Sequence, residues 1–191
     1  HEAQVGQHRL RVVTARRAEQ RGRWAQHRDA LAHEPRHEIR SEARRLVVGY
    51  VSSDLREHAV GFLTSEIYGL HDREKVEVFV YYCGIPANDA IHQRVKATSD
   101  HWVDITGMSD EQAAEKITAD GVEILIDLNG YTNGARTKVF SMAPSPINVN
   151  WLGYPGTLGS PYFHYIIADD FIIPPDAEKY YSERVMRIPC Y

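Results

Sequence analysis

Asp54 and His58 stand four residues apart in GYVSSDLREHAVGFL, residues 49–63. There an apolar run yields to Ser52, Ser53, Asp54, Arg56 and Glu57, and apolar residues resume after His58. A carboxylate and an imidazole at one strand end can share proton transfer. Asp54 can take a hydroxyl proton directly or through a water, while His58 accepts a proton when neutral or donates to a phosphate oxygen when protonated. A helix starting near Ala59 would add N-terminal amides that attract an anion. The same residues also fit a structural role, with Asp54 capping that helix and His58 a surface imidazole. No G-x-G-x-x-G pattern is present here, which argues against a dinucleotide cofactor.

Two further stretches have the texture of binding loops. DLNGYTNGARTKVF, residues 127–140, leaves an apolar run through Asn129-Gly130 and Asn133-Gly134, and glycines so close let backbone turn tightly against a ligand. Asp127 and Arg136 could equally form a structural ion pair, and Thr132 suits either a cap or a hydrogen-bonding group in a cleft. WLGYPGTLGSP, residues 151–161, packs three Gly and two Pro into one loop whose amides suit a sugar or phosphate.

The elements that must position these loops are written in the periodicity. LVVGYVS, VEVFVYYC, HWVDIT, VEILIDLNG, INVNWLG and FHYIIADD are short β-rich runs. AVGFLTSEIYGL, NDAIHQRVKATS, SDEQAAEKITAD and ARTKVFSMA lie between them as helical stretches. This alternation predicts an α/β fold, a Rossmann-like parallel sheet flanked by helices. Ser109 is the expected N-cap of its helix and Gly121 the expected stop. In such sheets ligands bind beyond the carboxyl ends of the strands, near a topological switch point. All three polar loops fall at strand ends, so together they predict a cleft.

Composition narrows the class. Apolar residues at 43% and charged residues at 25% are those of an ordinary globular protein, and the net charge of −4 argues against a general nucleic-acid binder. Residues 1–45 hold eleven Arg, no Lys and six acids, about +5, against about −9 for the remainder. Apolar positions there are sparse, which predicts a helical linker before a domain spanning 46–191; a basic RNA-binding arm is the alternative. Cys83 and Cys190 cannot make a disulfide framework, which suits a reducing, cytoplasmic compartment. No apolar run approaches the ~20 residues that span a bilayer, so no membrane partner is expected. The ten His residues are scattered without a ligand cluster, so no metal is expected. The start at His1 and the end at Tyr191 suggest part of a longer protein.

VGYVSSDLREHAVGFL, DLNGYTNGAR, APSPINVNWLGYPGTLGSPYFHYIIAD and YSERVMRIP together resemble the catalytic region of the O-linked N-acetylglucosaminyltransferases and SPINDLY-type O-fucosyltransferases. The resemblance covers roughly residues 46–191. It implies the first half of a glycosyltransferase-B fold, with tetratricopeptide repeats upstream and a second, nucleotide-binding domain downstream. The implied activity is inverting transfer of a sugar to Ser or Thr of a protein or peptide acceptor. The implied donor is UDP-N-acetylglucosamine, with GDP-fucose as the alternative, and no cofactor is implied. Asp54 and His58 match the family's S-x-D-x-x-x-H stretch on the acceptor side. Leu152 and Gly153 match residues beside the donor sugar, with Tyr154, Pro155, Gly156 and Thr157 completing that loop. A linker histidine of the family also reaches the active site; His8 sits at the matching distance, and His27 competes.

Two departures qualify the match. Ala59 follows His58 where the family commonly has Pro, and His164 stands where an Asp precedes the tyrosine. A different class of function, a non-catalytic module that binds a partner through its cleft or basic arm, is separated from catalysis by a second domain with Lys and His at its strand ends.

Overall fold

The computed structural model describes residues 44–189, so the linker expected over 1–45, with His8 and His27, lies almost wholly outside the described residues. Seven strands form one sheet: β1 (Leu46–Ser52), β2 (Val76–Tyr82), β3 (His101–Asp104), β4 (Ile124–Asp127), β5 (Ile147–Trp151), β6 (Tyr165–Ala168) and β7 (Arg184–Arg187). Every neighbouring pair is parallel, in the order β3-β2-β1-β4-β5-β6-β7. The chain therefore runs outward from β1 to β3, returns to the centre, and runs outward the other way from β4. The reversal lies between β1 and β4, where the carboxyl ends of adjacent strands send their loops apart.

Alternation along the central strands builds two cores, one on each face. Val47, Val51, Phe79, Tyr81 and Leu125 face α4 (Asp110–Ala119) and α5 (Thr137–Ser141), which contribute Ala113, Ala114, Ile117, Val139 and Phe140. Val48, Tyr50, Val78, Val80 and Ile126 face α1 (Ala59–Thr64), α2 (Ile67–Leu70) and α3 (Ala90–Thr98), through Val60, Tyr68, Ile91 and Val95. Burial on both sides is why these strands read as nearly unbroken apolar runs.

All six expected runs are strands, and Ser109 caps α4 in a reciprocal capping box with Gln112. Two features differ from expectation. AVGFLTSEIYGL forms two short helices. Thr64 bonds back to the Val60 carbonyl at 2.8 Å, and the Ser65 amide closes α1 on Gly61 at 2.9 Å, before α2 begins at Ile67. RVMR adds a seventh strand that no apolar run announced. It is a short sheet edge with exposed arginines at both ends, a common device against edge pairing.

Leu125 is fully buried and Leu70 is 77% exposed. Leu125→Ala is expected to cost about 2–5 kcal/mol in urea unfolding, and Leu70→Ala less than about 0.5 kcal/mol.

Candidate active site

The switch-point crevice is organised by a side chain that the sequence presents as a turn residue. Asn129 follows β4 and reaches across to the end of β1. Its Oδ1 accepts the Ser53 amide at 2.9 Å. Its Nδ2 lies 2.9 Å from Asp54 Oδ2, 2.9 Å from Ser53 Oγ and 3.0 Å from Thr132 Oγ1. Asn129 is itself fixed by its backbone amide, which donates to Asp127 Oδ1 at 2.9 Å.

Asp54 does not cap α1. Its carboxylate is engaged by Asn129 on one oxygen and approached by Arg56 Nη2 at 3.5 Å on the other, and the residue is 6% exposed. The cap is His58, whose Nδ1 accepts the Val60 amide at 3.3 Å. That bond uses the Nδ1 lone pair and leaves Nε2 as the nitrogen to carry or exchange a proton. His58 Nδ1 also lies 3.9 Å from Asp54 Oδ2. Asp54 and His58 thus share one wall of an open cavity of about 600 Å³, with Arg56, Cys83, Thr132 and Asn133 among its other lining residues. Burial pushes the Cys83 thiol up to about 12, so it stays protonated and is not a nucleophile at neutral pH.

The loop after β5 does not line that cavity. It lies beyond the β4 loop on the same sheet edge, and the two loops mesh closely. A Cβ on Gly153 would fall on the Leu128 carbonyl oxygen, and one on Gly130, whose φ is +59°, would lie 2.5 Å from Tyr154 Cβ. Only glycine permits this approach. Leu152 holds a left-handed φ of +71°, an uncommon conformation for a branched side chain and one that clusters at functional loops. Leu152 packs into one core and Tyr154 into the other. Asn150 Nδ2 donates to the Tyr154 carbonyl at 3.0 Å, and the Tyr181 hydroxyl to the Pro155 carbonyl at 3.0 Å. The Thr157 hydroxyl donates to Glu183 Oε2 at 2.7 Å, while Glu183 Oε1 accepts the Leu158 amide at 2.7 Å. The loop is therefore preformed, with its backbone held from below.

Asp127 and Arg136 do not pair. Arg136 binds Asp110 at 2.5 Å and the carbonyls of Ile105 and Met108. His164, at the position where the family pattern departs, accepts the Asn148 amide on Nδ1 at 3.0 Å and so braces β5. Among the described residues no group of three or more His, Cys, Asp or Glu could hold a metal ion, and no helix is long and apolar enough to cross a membrane. Asn150 and Glu183 are organising residues that no sequence feature singled out, and Asn129 was legible only as a turn residue. Asn148 and Asn150 inside INVNW were a usable signal, because Asn is disfavoured in strands unless its amide has work there.

The profile of glycosyl transferase family 41 matches residues 12–190. The chain belongs to this family. It is 42% identical over 149 residues to an Arabidopsis thaliana protein named probable UDP-N-acetylglucosamine–peptide N-acetylglucosaminyltransferase SEC, covering 78% of this chain and 15% of that protein. A Caenorhabditis elegans UDP-N-acetylglucosamine–peptide N-acetylglucosaminyltransferase is 39% identical over 83% of this chain and 14% of its own length. A rice relative named probable UDP-N-acetylglucosamine–peptide N-acetylglucosaminyltransferase SPINDLY is 34% identical over 78% of this chain and 17% of its own. A solved mutant O-GlcNAc transferase from Thermobaculum terrenum superposes with a TM-score of 0.74 at 31% identity, over 89% of this chain and 34% of that one. This family-41 chain thus carries the Rossmann-like sheet of a glycosyltransferase-B half, and it spans about one seventh of the length of the first two relatives.

Burial pushes the Asp127 carboxyl up to about 7 from 3.8, against the opposing pull of the Asn129 and Gly130 amides. A raised folded-state pKa means the contribution to stability is full below about pH 4 and is lost as pH rises through about 7. Replacing Asp127 with Asn removes that titration. Between about pH 5 and about pH 8, wild type is expected to lose roughly 2–3 kcal/mol relative to Asp127→Asn in chemical denaturation.

Proposed function

We propose that this chain forms the acceptor-side half of the active site of a protein O-glycosyltransferase that moves N-acetylglucosamine from UDP-N-acetylglucosamine to Ser or Thr of a peptide. The observation that carries the reading is Asp54: a carboxylate oriented by Asn129, beside His58, on the wall of an open cavity at the switch point. The names of the family-41 relatives support the donor and the peptide acceptor. The relatives with 42% and 39% identity, and the SPINDLY relative as well, are named N-acetylglucosaminyltransferases, which supports that sugar.

In this reading the acceptor hydroxyl oxygen attacks the anomeric carbon from the cavity side. The bond from that carbon to the diphosphate oxygen breaks on the opposite face, and configuration inverts. The hydroxyl proton passes to Asp54, directly or through a water, with His58 Nε2 orienting the acceptor or sharing the proton. A positioned base contributes about 10²–10⁴-fold. Stabilising charge on the departing diphosphate is usually the larger contribution, and it falls to a second, nucleotide-binding domain of the same protein. The preformed loop of residues 152–157 supplies a wall beside the donor sugar, with Leu152 and Gly153 nearest. His8, which lies outside the described residues, is the linker histidine that the family resemblance proposes, with tetratricopeptide repeats proposed upstream. A reducing cytoplasmic setting fits the raised, inert Cys83 thiol.

The test is steady-state transfer by the full-length protein. Asp54→Asn is expected to lower kcat by about 10²–10⁴-fold with donor affinity near that of wild type, and His58→Ala to lower it equally or less. Retained turnover in Asp54→Asn would remove Asp54 from the chemistry.

A further inference from the structure

β4 and β5 run in parallel register with Asp127 opposite Asn150. Register partners send their side chains to the same face of a sheet. Both residues are sealed from solvent, at 1% and 0% exposure. Each holds one oxygen without a hydrogen-bond partner, Asp127 Oδ2 and Asn150 Oδ1. Their remaining polar atoms are engaged. The Asp127 carboxyl receives the Asn129 and Gly130 amides, and Asn150 Nδ2 donates to the carbonyls of Tyr154 at 3.0 Å and Gly156 at 3.4 Å. Gly130 lies between them: its amide serves Asp127, and a Cβ built on it would sit 3.4 Å from Asn150 Oδ1. Two buried acceptors on the same face of neighbouring strands, each without a donor, are costly, and native proteins rarely leave such groups unpaired. A single proton on Asp127 turns the mismatch into a bond.

We propose that Asp127 is a neutral carboxylic acid whose Oδ2–H donates to Asn150 Oδ1, making it a positioning residue that ties the loop orienting Asp54 to the loop of residues 152–157. The proton stays on Asp127 and no covalent bond changes. One side of the tie runs from Asp127 through the Asn129 amide to Asp54, and the other from Asn150 to the carbonyls of Tyr154 and Gly156. The raised pKa of Asp127, about 7, keeps this state dominant below neutral pH. The titratable group coupled electrostatically to Asp127 is the Cys83 thiol after β2, which also feels Arg136 ahead of α5, Asp54 after β1 and Asp104 after β3. Arg136 is turned to Asp110 and two carbonyls, and Cys83 stays neutral. Ionisation of Asp127 above neutrality would set a charged acceptor against an amide oxygen and loosen the loop after β5. Asn at 127 keeps a donor there without titrating.

The tie deepens the transferase reading and rests on it only for its consequence in catalysis. The direct test is hydrogen–deuterium exchange of residues 151–158 in the full-length protein, corrected for intrinsic rates, at about pH 6 and about pH 8.5. Wild type is expected to exchange about tenfold faster at the higher pH, Asp127→Asn to stay protected at both, and Asp127→Ala to exchange rapidly at both. Equal, pH-independent protection in wild type and Asp127→Asn would overturn the proposal. Infrared difference spectroscopy of wild type over the same range needs no variant. Loss of one hydrogen-bonded carboxylic-acid band supports the tie, and its absence overturns it. Both readouts are independent of turnover, so an inactive protein with the expected exchange pattern would refute the transferase reading and leave the tie standing.

Discussion

The candidate site depends on one buried carboxamide spanning the switch point. A parallel sheet that reverses its winding leaves two adjacent strand ends with their loops departing in opposite directions, and backbone pairing does not extend past the last rung. Asn129 supplies the missing rung. Its oxygen holds the Ser53 amide, and its nitrogen holds the Asp54 carboxylate. Without it a carboxylate 6% exposed would depend on Arg56 at 3.5 Å, a contact longer than a good hydrogen bond, because His58 Nδ1, 3.9 Å away, accepts the Val60 amide. Desolvation of Asp54 is thus offset by a donor whose own backbone is fixed by Asp127.

The same economy shapes the loop after β5. Its inner surface is close-packed backbone, glycine against carbonyl, which leaves no room for side chains to do the holding. Polar side chains grip it instead from beneath and from the far edge. Asn150 takes two carbonyls, Tyr181 a third, and Glu183, at 2% exposure, takes the Thr157 hydroxyl and the Leu158 amide. The edge strand β7 is short and charged, yet the turn leading into it supplies Ser182 and Glu183. It therefore serves the site as well as closing the sheet.

Much of this was legible in the sequence, for a definable reason. Strands covered on both faces must be apolar throughout, so VEILIDL and VEVFVYY announced themselves, and so did the edge where their loops gather. Local chemistry was readable too: Ser109 caps α4 as its spacing requires. Long-range side-chain contacts were not. Asp54 has the form of a helix cap until Asn129, 75 residues away, claims its carboxylate and passes the capping to His58. RVMR carries too few apolar residues to read as a strand, because an edge needs only one covered side. Asp127 and Arg136, nine residues apart in one loop stretch, suggested an ion pair, but Asp110 on α4 takes the guanidinium instead.

The proposed function makes this edge half of a nucleotide-sugar site completed by a second domain. The most direct measurement is calorimetric binding of UDP, UDP-N-acetylglucosamine and GDP-fucose to the full-length protein. UDP and UDP-N-acetylglucosamine are expected to bind and GDP-fucose is not. Binding of GDP-fucose alone would contradict the donor assignment, and binding of none would contradict the claim that the cleft is a transferase site.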